Sequence, residues 1–391
     1  MRRKLWPVGS GLALLSVLAS GAFAGPAAAA SYGDATAGAH RITFTADYGV
    51  TNKIVITRSG RTVTIDDRVE IRPGKGCKRV TGDKTRVRCK TTKATTLVIV
   101  KVNDRNDSVV NNSDLRMEAD GGPGNDRIVG GPKADILWGD QLCPSVRGGN
   151  DRIYGRGGND EIYAEDGSDY VSAGDGDDQI SGDNTCGGTR KYPGNDVLHG
   201  DNGNDWVVGY GGNDRVYGDN GNDSLLGEAG RDYLSGGAGA DWMRGDASDR
   251  AVAADVLLGG SGPDRVDYYH YRKAVTVDLD GASGDDGLPG EHDTVGADVE
   301  GIDGTGAADR LTGNGAANQI DGYGGNDVIR GGGGDDHLNG EDGTDRIFGE
   351  GGNDTLGTWS PLAVLDGGPD SDICQGRPET AMNLCEDRQI W

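Results

Sequence analysis

The sequence predicts an all-β chain: a parallel β-roll, or β-helix, solenoid built from nonapeptide repeats and preceded by a small disulfide-stapled β domain. Three observations carry this. Beyond Gly121 an aspartate followed two residues later by an apolar side chain recurs with a period of nine. Glycine is 71 of 391 residues while only 34% are hydrophobic, so a large conventional core would be hard to fill. Six cysteines, an even number, suit an exported chain held by disulfides.

In chain order, Arg2, Arg3 and Lys4 head an apolar stretch ending near Phe23, and Ala22-Phe23-Ala24 offers an A-x-A cleavage site. Residues 1–30 are therefore expected to be a secretory signal peptide, cut after residue 24 or 30. Pro7, Gly9 and Gly11 break the stretch, which argues against a membrane anchor. Residues 31–118 are expected to form the small β domain. Ile42, Phe44 and Ala46 alternate with polar residues, and Ile54-Val55-Ile56, Thr62 to Ile65 and Thr96 to Val100 are short β-branched runs between turn signals. Charge marks its end: residues 31–120 hold 17 Lys+Arg against 11 Asp+Glu, whereas residues 121–391 hold 19 against 52.

The cysteines allow fifteen pairings. Cys77 with Cys89 and Cys374 with Cys385 would each close a short loop, leaving Cys143 with Cys186. None of the six sits in a C-x-x-C or a mixed Cys/His pattern, so structural bonds are expected rather than metal or redox chemistry.

The cleanest repeats are Gly200 to Val208, Gly209 to Tyr217 and Gly218 to Leu226: a glycine-rich hexapeptide ending in Asp, then three residues with an apolar middle member. The sixth-position row runs through Asp126, Asp135, Asp151, Asp160, Asp169, Asp178, Asp196, Asp205, Asp214, Asp223, Asp232 and Asp241. After a break it continues with Asp255, Asp264, Asp309, Asp327, Asp336, Asp345 and Asp354, with Asn318 filling one place. In a three-residue strand the middle side chain points opposite to its neighbours, so one aliphatic per repeat can line a narrow core. Two repeats would make a coil of 18 residues, with strands about 4.8 Å apart. Glycines permit the tight turns, whose carbonyls and aspartates together are a donor set for Ca2+. These 19 aspartates are the expected metal ligands, in rows of several ions along each edge, and second-position Asp183, Asp201 and Asp219 can add to them.

The repeats span 119–267 and, as a second block, 313–373; residues 268–312 form a non-nonapeptide interruption and 374–391 a cap with a disulfide. Two register breaks carry Cys143 and Cys186 and leave the same edge two coils apart, about 10 Å at strand spacing, within reach of a bond. The interruption opens on Tyr268-Tyr269-His270-Tyr271 and holds a run of acids; a pocket or a decorated turn would both suit it.

Gly209 to Tyr217 and Gly322 to Arg330 resemble the haemolysin-type calcium-binding, or RTX, repeats of secreted bacterial proteins at nearly every defining place. The resemblance covers about residues 121–373 and implies a parallel β-roll that binds calcium outside the cell and is disordered without it. Ala274 to Leu279 with Gly301-Ile302, Asp309 to Gly313 and Asn318 to Gly322 resembles the larger unit that interrupts such arrays. Typical members place the repeats behind a catalytic or pore-forming domain and use a C-terminal export signal; this chain departs on both points.

No H-E-x-x-H and no G-x-S-x-G occurs, and the only histidines are His40, His199, His270, His292 and His337. The expected function is a secreted, extracellular calcium-binding protein with a structural or interaction role, its folding coupled to calcium, and not an enzyme. A secreted hydrolase or toxin with a site near 268–292 is the alternative. A net charge of −24 disfavours nucleic acid, and no membrane span is expected; a cell-surface or matrix partner is open.

Overall fold

The computed structural model describes residues 32–140, 148–183, 193–248, 253–378 and 380–390. The unit Ser31–Trp391 is compact, and its described residues contain strands and turns but no helix. None is therefore a helix long and apolar enough to cross a membrane.

The nonapeptide pattern becomes a parallel solenoid because each strand finds its partner one coil, two repeats, away. Arg215–Asn220 pairs in parallel with Tyr233–Ala238, placing Val216 against Leu234. Alternate repeats thus build opposite faces: an 18-stranded sheet runs the length of the unit, faced first by a 13-stranded and then by a 6-stranded sheet. The apolar member of every repeat from Ile128 to Leu356 points inward, and none is more than 2% exposed. One aliphatic row per sheet lines the core of the regular repeats.

Residues 32–118 close one end of that core. Gly33–Ala37 lies antiparallel to Arg41–Ala46, and Lys53–Ser59, Thr62–Asp66, Asp83–Cys89 and Cys77–Val80 form an antiparallel run stapled by Cys77–Cys89. Arg41–Ala46 then pairs in parallel with Leu97–Lys101, which passes the pattern to Arg116–Asp120 and Ile136–Trp138. Lys53–Ser59 likewise leads through Ser108–Asn112 to Arg127–Val129. Both sheets cross residue 118 without a break, so the change of composition there marks a change of turn chemistry within continuous sheets. Phe44, Ile42, Ile54 and Ile65 are fully buried and cover what would otherwise be an open end.

The interruption contributes strands as well as turns. The 13-stranded sheet ends where Thr294–Val295 pairs with Val256–Ser261, and the 6-stranded sheet begins with Thr276–Asp278 on Arg310–Thr312. The long sheet continues past this exchange through Arg265–Asp267, Gly301–Asp303 and Gln319–Asp321. Tyr268 and Tyr271 are 4% and 3% exposed and belong to the core, so the aromatic segment is packing material at the exchange; Tyr269 alone of the three tyrosines faces solvent.

The Cys374–Cys385 bond is formed, and Cys374 itself occupies the inward place of a further repeat strand, Ile373–Gly376, stacked on Thr355–Gly357. The repeats therefore run past residue 373, and Ala381–Asn383 and Asp387–Ile390 end the sheets. The expected Cys143–Cys186 pair and the signal segment 1–30 lie outside the described residues.

Candidate metal centre

Each regular turn is shaped by its fourth residue. At Gly203, Gly212, Gly221 and Gly230 φ lies between 122° and 140°, a region that is essentially glycine's own. A Cβ there would also overlap the carbonyl of the fourth residue one coil earlier, as Gly221 on Gly203 shows. The first glycine faces inward on the same turn: a Cβ on Gly200 would lie 2.9 Å from the Gly218 carbonyl oxygen and would overlap Asp205 Oδ2. Carboxylate and carbonyl oxygens thus converge where only a hydrogen fits.

All 19 sixth-position aspartates are buried, and they fall into three rows. In each row the backbone N–H of one aspartate donates to Oδ1 of the aspartate one coil on. Asp126, Asp151, Asp169, Asp196, Asp214, Asp232 and Asp255 form the first, with bonds of 2.7–2.8 Å. Asp135, Asp160, Asp178, Asp205, Asp223, Asp241 and Asp264 form the second, which Asp336 and Asp354 resume beyond Asn318. Asp309, Asp327 and Asp345 form the third. The neighbour on the same edge therefore holds the backbone with one oxygen, a role that periodicity alone does not reveal.

The second oxygen separates the repeats into two kinds. Oδ2 of Asp126, Asp151, Asp160, Asp169, Asp178, Asp196, Asp205, Asp223, Asp241, Asp255, Asp264, Asp327, Asp336 and Asp354 is buried and accepts no hydrogen bond. Where the fourth residue is Lys133 or Ala307 in place of glycine, the turn folds back on itself. Asp135 Oδ2 then takes the Gly131 N–H at 2.6 Å and Asp309 Oδ2 takes the Thr305 N–H at 2.7 Å. Asn318, with Ala316 at the fourth place, does the same through Asn314. Asp345 Oδ2 accepts from the Thr358 hydroxyl. Buried oxygen acceptors without a donor, set beside backbone carbonyls and with no nitrogen or sulfur ligand in the row, fit a hard cation such as calcium.

Burial raises these carboxyls first of all: Asp151 and Asp160 are pushed up to about 8, Asp205 and Asp327 to about 7, Asp223 and Asp241 to about 6. An acid whose folded pKa is raised binds more protons folded than unfolded, so without a cation the fold loses stability as pH climbs from about 4 towards 8. In chelator, β structure should accordingly be greater at about pH 5.5 than at about pH 8, as read by circular dichroism. More order at the higher pH would contradict it.

Several acids of the rows escaped the periodic reading. Asp372, in Gly367-Gly-Pro-Asp-Ser-Asp372, extends the second row by accepting the Asp354 N–H; the repeat was legible, with Cys374 in the apolar place. Asp107 precedes Asp126 in the first row although its turn lacks the glycines. Asp293 and Glu300 accept from Asp255 and Asp264 and carry the first and second rows into the interruption. Of the second-position acids, Asp201 and Asp219 turn outward with positive φ, Asp201 meeting Ser172 and Asp219 pairing with His199 at 2.8 Å. Asp183 is buried, and so are Asp140 and Asp246 at the same place of repeats interrupted by loops. Asp278, Asp280 and Asp285 bring carboxylate oxygens within 4.8 Å of one another at an exposed turn.

Residues 120–141, 147–180, 192–225, 217–249, 303–338 and 321–356 match the model of the RTX calcium-binding nonapeptide repeat (4 copies). No curated protein matches the chain.

Proposed function

Because the chain is an RTX-type repeat protein, a β-roll that binds calcium, we propose that it acts outside the cell as a structural or interaction module whose folding is coupled to several calcium ions. The observation that carries this is the row of buried Oδ2 atoms without a hydrogen-bond donor. The ligands are the sixth-position aspartates of open turns, from Asp126 to Asp354, extended by Asp107 and Asp372; Asp135 and Asp309 belong to closed turns and contribute charge only. Bound calcium supplies positive charge and accepts both carboxylate and carbonyl oxygens. The aspartates themselves keep the coils in register through Oδ1 while presenting Oδ2.

On this reading the chain catalyses no reaction. Its best-placed histidine, His199, is held by Asp219, stacked on Tyr217 and packed at a tilt against Tyr170, and the segment 268–271 is largely core. Two disulfides suit an oxidising compartment and hence export.

Equilibrium dialysis of the full chain against calcium tests the assignment. Asp223→Asn should lower the bound count or raise the midpoint several-fold, in the range of about 10⁻⁴–10⁻³ M usual for extracellular calcium modules. Asp309→Asn should stay close to the parent. Equal shifts would mean that calcium answers to bulk charge and that the open-turn assignment is wrong.

A further inference from the structure

Away from the calcium rows, we propose that the outer face of the N-terminal antiparallel run is a binding groove for an anionic polysaccharide, whose acidic groups are taken by Lys78, Arg88 and Lys90. The proposal does not depend on the calcium assignment. Residues 31–120 hold 17 Lys+Arg against 11 Asp+Glu in a chain whose net charge is −24, and they lie before the family-matched segments.

Strand alternation builds the face. Val63, Val87, Cys77 and Cys89 point inward and are buried, which leaves Thr62, Thr64, Arg88 and Lys78 on the outside. The strands stand in the order Lys53–Ser59, Thr62–Asp66, Asp83–Cys89, Cys77–Val80. Lys78 is directly opposite Arg88, and Arg88 is directly opposite Thr64 on its other side. Lys90 comes next along the chain, held by its N–H donating to the Gly76 carbonyl at 2.9 Å. With Ser59 these residues line an open groove of about 690 Å3.

Two cations directly opposite one another on neighbouring strands destabilise a sheet, and here no acid relieves them. Other arginines of the domain are paired, Arg58 with Asp114, Arg72 with Asp34, Arg79 with Glu70 and Arg86 with Asp66. Lys78, Arg88 and Lys90 are exposed, and among the described residues their side chains make no ion pair or hydrogen bond. Their charges are therefore free for a ligand. Ammonium and guanidinium groups suit sulfate, phosphate or carboxylate groups, while the hydroxyls of Ser59, Thr62 and Thr64 can exchange hydrogen bonds with sugar hydroxyls. No aromatic ring lines the groove, so it lacks the stacking platform of a single-stranded nucleic-acid site. Val80 is the only large apolar residue in the lining, too little to enter a membrane surface. A second copy would bring a net charge of −24 against −24, whereas a slender anionic chain can lie along this face without meeting the acidic roll.

The test is calorimetric titration of the full chain, in calcium, with a size-defined dextran sulfate, neutral dextran being the control that differs only in charge. The parent should bind the sulfated chain and not the neutral one, and its affinity should fall steeply as salt is raised. Lys78→Glu and Lys90→Glu should each weaken binding about tenfold or more. Arg310→Glu, the same change of charge on an exposed residue of the roll, should match the parent. Because Lys78→Glu replaces a like-charge pair with an opposite one, its Tm should be no lower than the parent's, so loss of binding cannot be loss of fold. If that variant does fold poorly, Lys90→Glu decides. Equal binding by the parent and both groove variants would put the polymer elsewhere and sink the site. Binding to anionic lipid vesicles in place of dextran sulfate would overturn the choice of partner. So would self-association of the parent, seen by sedimentation and abolished by Lys78→Glu. No binding of the sulfated chain by the parent would end the proposal and leave the calcium reading untouched.

Discussion

In excess chelator at about pH 8, the β signal of residues 121–391 should be largely lost, and calcium should restore it. Each nonapeptide buries one aliphatic side chain and one carboxylate. The aliphatic contributes about 1.5–3 kcal/mol, whereas a buried ion without a partner costs several kcal/mol. Protonation can relieve that cost only where the pH lies below the raised pKa values, so near pH 8 the cation must do it. Repulsion among 52 acids against 19 bases acts in the same direction. Calcium bound only by the folded chain stabilises it by mass action. The N-terminal strands should keep their structure, since they hold a fuller core and the Cys77–Cys89 bond. Circular dichroism of the full chain with and without calcium measures this; an undiminished β signal in chelator at that pH would show that the rows need no ion.

Gly221→Ala should damage the roll more than any single aspartate change. Gly221 has φ of 139°, and a Cβ would strike the Gly203 carbonyl, while Gly239 packs on Gly221 in turn. Backbone strain and overpacking each cost about 1–3 kcal/mol, and here they act on the spacing between coils that brings the ligand oxygens together. Calcium-induced folding should shift to at least about tenfold higher calcium, the equivalent of about 1.4 kcal/mol, or lose its cooperativity. Gly315→Ala is the comparison, because its Cβ would meet nothing within 4 Å and its φ is ordinary. Calcium titrations of the two variants with the same midpoint would refute the view that the fourth glycine sets the turn.

The period of nine by itself determined the roll, the inward row from Ile128 to Leu356 and the alignment of the sixth-position aspartates along the edges. These follow from local alternation and from the need of a three-residue strand to stack on its own kind. The Cys77–Cys89 and Cys374–Cys385 bonds were legible in the same way, from short separation along the chain. Tertiary structure alone decided which carboxylate oxygens stay unsatisfied, because that depends on donors one coil away and on whether a turn is open at glycine or closed at Lys133 or Ala307. It also decided that Asp293 and Glu300 accept from Asp255 and Asp264 and that Tyr268 and Tyr271 are core. These contacts join residues far apart in the chain across loops without periodicity, so no spacing in the sequence encodes them; they exist only once the sheets have stacked.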